Sequence, residues 1–230
     1  MLRWSIVLWV LLAACRAKEP AALVSTNPAV TAKSWLALGD SYTIGQGVTA
    51  TERFPAQTVA LLQQKGIVVS ALTYIATTGW TSSNLQTAIN TQNPAAHDVV
   101  SLLIGVNDQY QLGADTTGYR QRFTQLLEKS IVLARGRAQQ VVVLSIPDYS
   151  VTPFASGSDT ARIRKELDLY NSINRSVTLA YGVAYLDITA STKEARTNPA
   201  LLAPDGLHPS AQEYQKWAQR LAPVLEGMLK

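Results

Sequence analysis

Short apolar runs alternate with longer amphipathic stretches along most of the chain. The runs are largely unbroken series of Val, Ile and Leu, a pattern typical of strands covered on both faces of a sheet. We predict five strands from them, at Trp35–Leu38, Val68–Ile75, Val99–Ile104, Val141–Ile146 and Val183–Ile188.

The stretches between these runs carry apolar residues at helical spacing. This spacing, with Pro near a first turn or Gly just past an end, predicts helices. We assign helices to Pro55–Lys65, Tyr119–Arg135, Asp159–Tyr181 and a final segment that opens with the capping-box pattern Ser210-x-x-Glu213. Pro223 lies inside that last segment and should kink or break it.

Repeated alternation of strands and helices predicts an α/β protein, with a parallel sheet between two helical layers. Ligands bind such sheets beyond the carboxyl ends of the strands. Ser41, Gly79, Asn107 and Asp148 each follow a predicted strand. We therefore expect their four loops to open on the same edge of the sheet.

The N-terminus has the pattern of a secretory leader. Arg3 precedes an apolar run, Trp4–Ala14, that is too short to cross a bilayer. The sequence Leu12-Ala13-Ala14-Cys15 resembles a bacterial lipobox, in which the cysteine becomes diacylated. Such a lipid would anchor the protein to a membrane of the bacterial cell envelope, on its periplasmic or extracellular face.

These features divide the chain into three predicted parts. Residues 1–14 form a lipoprotein signal peptide, and residues 15–33 comprise the lipidated Cys15 and a flexible tether rich in Ala, Pro, Thr and Ser. Residues 34–230 form one domain, of a size that supports a full core.

Composition excludes several functional classes. The net charge of +4 is too small, and its cations too scattered, for nucleic-acid binding. Cys15 is the only cysteine, so no intramolecular disulfide can form. The sequence has neither zinc-type Cys/His spacing nor a nucleotide-binding glycine motif, and we expect no metal and no cofactor.

Three residues provide the chemistry of a serine nucleophile. Ser41 follows the first predicted strand, and a serine hydroxyl needs a nearby base to attack at neutral pH. His208 can supply that base, and Asp205, three residues earlier, can hold its other ring nitrogen. A turn and a solvated histidine are the alternative interpretation of this segment. The second histidine, His97, precedes the predicted strand Val99–Ile104, at the opposite end from the loops named above. We interpret it as a surface or strand-start residue.

Acyl transfer also requires donors that stabilise an oxyanion. The available donors are the backbone N–H groups of Ser41 and Gly79 and the side-chain amide of Asn107. Taken singly, Gly79 and Asn107 are more typical of an ordinary turn glycine and a loop asparagine.

Taken together, the motifs Gly39-Asp40-Ser41, Gly79, Gly105-Val106-Asn107-Asp108 and Asp205-x-x-His208 resemble, in order, the four sequence blocks of the SGNH (GDSL-type) hydrolase family. The resemblance implies a three-layer α/β/α sandwich with a flavodoxin-like sheet, and ester hydrolysis through an acyl-enzyme. It implies Ser41 as nucleophile, Asp205 as orienting acid and His208 as base. It further implies Gly79 and Asn107 as oxyanion donors and a structural role for Asp40.

Other loop residues bear on the substrate. Five aromatic residues follow predicted strands, where they could line a pocket or serve in ordinary packing: Tyr42, Trp80, Tyr110, Tyr149 and Phe154. The segment from Pro147 to Ser158 has the Gly, Pro and Ser content of a mobile lid. No Gly-x-Ser-x-Gly motif is present, so the α/β-hydrolase nucleophile elbow is not supported.

We therefore expect a membrane-tethered serine esterase that acts on lipid or small acyl esters, such as lysophospholipids. A carbohydrate O-deacetylase of the envelope would use the same residues, and a non-catalytic ligand-binding lipoprotein is the alternative from another class. The sequence leaves the natural ester and the oligomeric state open.

The lipobox assignment predicts that Cys15→Ser releases the protein from membranes, because the substitution removes the only acylation site. Fractionation of cells that express the full chain measures this. Ser25→Ala, in the predicted tether, is the matched control and should stay with the membrane pellet. A Cys15→Ser protein that also stays in the pellet would contradict the assignment.

Overall fold

The computed structural model describes residues 1–2 and 32–230. Most of the predicted signal peptide, Cys15 and nearly all of the predicted tether lie outside the described residues. Among the helices that fall within residues 1–2 and 32–230, none is both long enough and apolar enough to cross a membrane.

Within the described residues, five parallel strands form one sheet in the order β2-β1-β3-β4-β5, the flavodoxin-like arrangement. This order confirms the predicted fold class. The strands are β1 Lys33–Gly39, β2 Val69–Ala76, β3 Val99–Leu103, β4 Val141–Leu144 and β5 Ala184–Leu186.

Helices cover both faces of this sheet. One layer contains α2 packed against α8, and in the other α5 contacts both α3 and α6. The helices are α1 Ser41–Ile44, α2 Phe54–Gln64, α3 Ser82–Gln92, α4 Val106–Leu112, α5 Thr116–Leu133, α6 Thr160–Ala180, α7 Thr189–Thr192 and α8 Ala211–Leu229. The helices α1, α3, α4 and α7 were not predicted.

The expected coverage on both faces holds for the inner strands. Every residue of β3 and β4 is buried, as is β1 from Trp35 onwards. The edge strands differ: β2 alternates between exposed and partly buried positions over most of its length, and β5 is only partly buried. The helical layers therefore shield the middle of the sheet more completely than its margins.

Pro223 does not break the last helix, so one of the two predicted effects is wrong, whereas a kink stays a prediction. Helix α8 runs without interruption from Ala211 to Leu229. Proline removes one hydrogen bond to the carbonyl four residues earlier. That carbonyl belongs to Gln219, an exposed residue, so water can satisfy it. The buried face of the helix, which includes Leu221 and Leu225, holds the turn in place.

A buried carboxyl group shapes the turn that follows β1. Asp40 is 1% exposed and caps α1, with its side chain accepting a hydrogen bond from the Tyr42 N–H at 3.0 Å. Burial disfavours the charged form, the Tyr42 N–H partly offsets this, and the nearby charge of Asp108 adds to it. Together these effects raise the pKa of Asp40 to about 8.

This shift makes a prediction about stability. Because the folded chain keeps a proton on Asp40 that the unfolded chain has released, the free energy of unfolding should fall as pH rises from about 4 to about 8, by at most ~1.4 kcal/mol per pH unit from this group. Asp40→Asn keeps the capping oxygen and cannot ionise. The free energy of unfolding of this variant, relative to that of the wild type, should therefore increase as pH rises across this window.

Urea unfolding at several pH values measures this difference. Asp159→Asn, the same change at the exposed cap of α6, is the matched control for loss of a capping carboxylate. A difference between Asp40→Asn and the wild type that stays constant with pH would contradict the raised pKa.

Candidate active site

The carboxyl ends of the parallel strands bring the predicted residues to one edge of the sheet. Ser41 lies two residues beyond β1, Gly79 lies beyond β2 and Asn107 beyond β3. All three line one cavity, together with His208 from the other end of the chain. Asp148, which follows β4, lies instead beside a smaller neighbouring cavity.

A tight turn fixes the predicted acid–base pair. One oxygen of Asp205, Oδ1, accepts hydrogen bonds from the backbone N–H groups of Leu207 and His208, each at 3.0 Å. The other oxygen, Oδ2, lies 2.7 Å from Nδ1 of His208. Gly206 allows this turn because its φ is +67°, a conformation that favours glycine. The segment therefore provides the predicted orienting contact.

These contacts also set the protonation of the pair. Partial burial of Asp205 favours its neutral form, but hydrogen bonds from the His208 ring and from the backbone N–H groups outweigh burial and hold the pKa of Asp205 below its ordinary value. An ionised carboxylate can only accept hydrogen bonds. In the neutral imidazole, Nδ1 of His208 therefore carries the proton, and Nε2 is the nitrogen with a free lone pair.

Aromatic packing restricts the histidine ring. The rings of Tyr42 and His208 lie 5.3 Å apart, and Tyr42 also packs against Trp217 of α8 at 6.4 Å. His208 is only 7% exposed. The imidazole is thus held on one side by a carboxylate and on another by the residue that follows Ser41.

Two of the predicted oxyanion donors are backbone groups. Ser41 is the first residue of α1, and N–H groups in a first helical turn have no acceptor within the helix. Gly79 lies in a turn closed by a bond from the Trp80 N–H to the Thr77 carbonyl at 3.2 Å, and its φ of +83° favours glycine. Gln111 donates to the Gly79 carbonyl at 3.0 Å and so steadies this turn.

The third predicted donor, the Asn107 amide, is oriented by the same loop. Its nitrogen donates to the Trp80 carbonyl at 3.0 Å, which leaves its second hydrogen for another acceptor. Asn107 is the second residue of α4, which follows Gly105. A Cβ on Gly105 would lie 2.2 Å from the Tyr119 hydroxyl, so only glycine lets α4 begin here. The amide is therefore fixed in direction.

A buried network behind Asn107 was not predicted from the sequence. Asp108, which is fully buried, accepts hydrogen bonds from the backbone N–H and the hydroxyl of Ser82, the first residue of α3. Arg122 of α5 lies 3.3 Å from the same carboxyl group. Burial outweighs these contacts and raises the pKa of Asp108. The network joins α3, α4 and α5 beside the cavity.

The cavity has a volume of about 120 Å³. Four of the five predicted aromatic residues line it, together with two aliphatic residues, and they are Tyr42, Tyr110, Tyr149, Phe154, Val106 and Leu207. The fifth aromatic residue, Trp80, instead packs, partly buried, against the core. The cavity is therefore small and mainly apolar.

The segment from Pro147 to Ser158 forms one wall of the cavity. It contains two short 3₁₀ helices, Tyr149–Val151 and Pro153–Ala155. The Phe154 N–H donates to the Gly206 carbonyl at 3.1 Å, which ties the wall to the turn that holds His208. A role for this segment as a lid stays a prediction.

His97 lies away from the cavity, just before β3, as predicted. It is 8% exposed, however, and so is not a surface residue. Its Nδ1 lies 2.7 Å from the Ala95 carbonyl and its Nε2 lies 3.4 Å from the Thr73 hydroxyl, so both ring nitrogens have a partner.

Solved structures show the same fold. The chain superposes on a lipase/acylhydrolase from Enterococcus faecalis with a TM-score of 0.64 and 19% identity, covering 86% of this chain and 97% of the other. An acetylxylan esterase from Geobacillus stearothermophilus superposes with a TM-score of 0.60 and 21% identity, covering 86% of this chain and 94% of the other. TesA superposes with a TM-score of 0.61 and 18% identity, covering 86% of this chain and 100% of the other. No curated protein matches the chain.

The model of the GDSL-like Lipase/Acylhydrolase family matches residues 37–216. This range begins within β1 and ends within α8, so it includes part of β1, the other four strands of the described sheet and every predicted catalytic residue. The chain therefore belongs to the GDSL-like lipase/acylhydrolase family and is a hydrolase that acts on ester bonds.

Proposed function

We propose that the protein hydrolyses esters of short carboxylic acids through an acyl-enzyme on Ser41. The observation that carries this proposal is the cavity that Ser41, Gly79, Asn107 and His208 line together, with Nδ1 of His208 2.7 Å from Asp205. This arrangement supplies a nucleophile, a base and oxyanion donors around a space that fits an acyl group.

The proposed reaction has two halves. Oγ of Ser41 attacks the carbonyl carbon while Nε2 of His208 takes the hydroxyl proton, and Asp205 stabilises the imidazolium that forms. The N–H groups of Ser41 and Gly79 and the Asn107 amide stabilise the negative charge on the carbonyl oxygen by hydrogen bonds. Collapse of this tetrahedral intermediate breaks the ester bond, and His208 gives the proton to the departing alcohol. Water then repeats the sequence and frees the acid.

Cavity volume favours a short acyl group. An engineered cavity of about 150 Å³ binds benzene. At about 120 Å³, the cavity beside Ser41 fits an acyl group of a few carbons, whereas a fatty-acyl chain would extend well beyond it. This volume favours small acyl esters, including acetylated carbohydrates, over lysophospholipids.

We also propose that a lipid on Cys15 attaches the enzyme to a membrane of the cell envelope. The support is the sequence alone: a charged start, a short apolar run and a single cysteine at the lipobox position. The predicted tether, which ends at residue 33, would hold the domain within reach of esters at that membrane.

Ser41→Ala should lower kcat for p-nitrophenyl acetate by at least about 10⁴-fold, because the nucleophile is lost. It should also abolish covalent labelling by a fluorophosphonate. Circular dichroism and thermal unfolding check that the variant is folded.

Ser83→Ala removes an exposed hydroxyl outside the cavity and is the matched control. Hydrolysis or labelling that persists in folded Ser41→Ala protein would exclude Ser41 as the nucleophile.

Asn107→Ala should lower kcat by about 10²–10³-fold and change KM much less, because the amide stabilises charge that develops only in the transition state. Steady-state kinetics with p-nitrophenyl acetate separate the two constants. Gln111→Ala controls for loop anchoring, since it loses the bond to the Gly79 carbonyl but removes no donor from the cavity.

We expect Gln111→Ala to lower kcat by less than about tenfold, because it removes one neutral hydrogen bond at an exposed position. A loss confined to KM in Asn107→Ala, or equal losses of kcat in both variants, would refute the oxyanion role.

A further inference from the structure

A second cavity, of about 370 Å³, adjoins the one beside Ser41. The two cavities share three aromatic residues, Tyr110, Tyr149 and Phe154. The second cavity is three times larger than the first, and its remaining lining is mainly polar. The chemistry proposed above uses none of its polar residues.

Hydrogen bonds fix three polar side chains of this second cavity. The Tyr149 hydroxyl donates to Gln109 Oε1 at 2.8 Å, and Gln109 Nε2 donates to Glu166 Oε2 at 2.6 Å. This chain runs from the shared aromatic wall to a carboxylate on α6 and holds the carboxylate in one orientation. Glu166 is only 9% exposed, so its remaining oxygen is a preorganised acceptor.

A cation faces that acceptor without touching it. Arg162 Nη1 lies 4.0 Å from Glu166 Oε1, which is beyond hydrogen-bond distance. A hydroxyl group both donates and accepts, so one hydroxyl can bridge the pair by accepting from Arg162 and donating to Glu166. A simple alkyl alcohol, whose only oxygen is the ester oxygen, would leave this donor–acceptor pair unused.

The shared wall offers an apolar surface beside these polar groups. Tyr110 is 60% exposed and Phe154 is 47% exposed, and their rings lie 5.9 Å apart. Exposed aromatic rings next to fixed polar groups suit a ligand with an apolar face and a hydroxylated edge. A pyranose or furanose ring has both.

We infer that the second cavity binds the alcohol part of the ester and that this alcohol is polyhydroxylated, as a sugar ring is. This inference rests on the proposed function, because it takes the acyl group of the same ester to be bound beside Ser41. The small apolar cavity takes the acyl group, and the alcohol crosses Tyr110 and Phe154 to reach Arg162 and Glu166.

Two acetyl esters that differ only in the alcohol test this inference: methyl glucoside carrying one acetyl group, and ethyl acetate. Both form the same acetyl-enzyme, so a difference in kcat/KM arises while the alcohol is still present. Arg162→Ala should lower the ratio of kcat/KM for the sugar ester to that for ethyl acetate by about tenfold or more, the size expected for a lost charged hydrogen bond.

Lys165→Ala, which removes the same charge from an exposed position of α6 outside the cavity, should leave that ratio unchanged. Free methyl glucoside should inhibit ethyl acetate hydrolysis competitively, and less strongly in Arg162→Ala.

An unchanged ratio in Arg162→Ala, or no inhibition of the wild type by methyl glucoside, would overturn the sugar site and leave the esterase proposal intact. The same holds if the wild type cleaves ethyl acetate but not the sugar ester. If the wild type cleaves neither ethyl acetate nor the sugar ester, both proposals are overturned.

Discussion

The packing of Tyr42 is the interaction on which the candidate site depends. Tyr42 follows Ser41 in the chain, and its ring contacts both His208 and Trp217. Trp217 in turn packs against Phe54 of α2 at 5.8 Å. These contacts join the exit of the first strand to the last helix, so two segments far apart in sequence meet beside one cavity. Buried aromatic side chains contribute large areas to a core, which makes this junction stable.

Fixed polar groups also border the cavity. The Asn107 amide is held by the Trp80 carbonyl, and the Gly79 carbonyl by Gln111. Behind them, Asp108 binds the start of α3. Donors that are already oriented stabilise developing charge without reorganising during the reaction. The burial of Asp40 and Asp108, which raises the pKa of both carboxyl groups, is a cost of arranging these loops so closely.

The two adjoining cavities differ in the chemistry of their linings. The smaller one is lined mainly by aromatic and aliphatic side chains, and the larger one contains the Gln109–Glu166 hydrogen bond and Arg162. Tyr149 serves both, because its ring lines the apolar cavity while its hydroxyl begins the polar chain. Burial is the main cause that raises the pKa of Tyr149 to about 12, so the hydroxyl remains a donor at physiological pH.

Several features were readable from the sequence because their causes are local. Unbroken apolar runs predicted all five strands of the described sheet, and the carboxyl-end rule predicted where Ser41, Gly79 and Asn107 would gather. The turn from Asp205 to His208 is also local, since three of its hydrogen bonds join residues two or three apart. Helix α3 was missed because its sequence is mostly polar and only Leu85 and Ile89 are buried apolar residues.

By itself, the sequence determined the α/β order, the family and the identity of the residues around Ser41, because periodicity and short motifs depend on neighbouring positions. Only the tertiary structure decided which aromatic residues line the cavity, that Arg122 supports Asp108, and that Arg162 and Glu166 face a second cavity. Glu166 and Gln109 are far apart in sequence, and Tyr149 lies between them. No pattern along the chain predicts such contacts, because they depend on how separate helices and loops pack over the sheet.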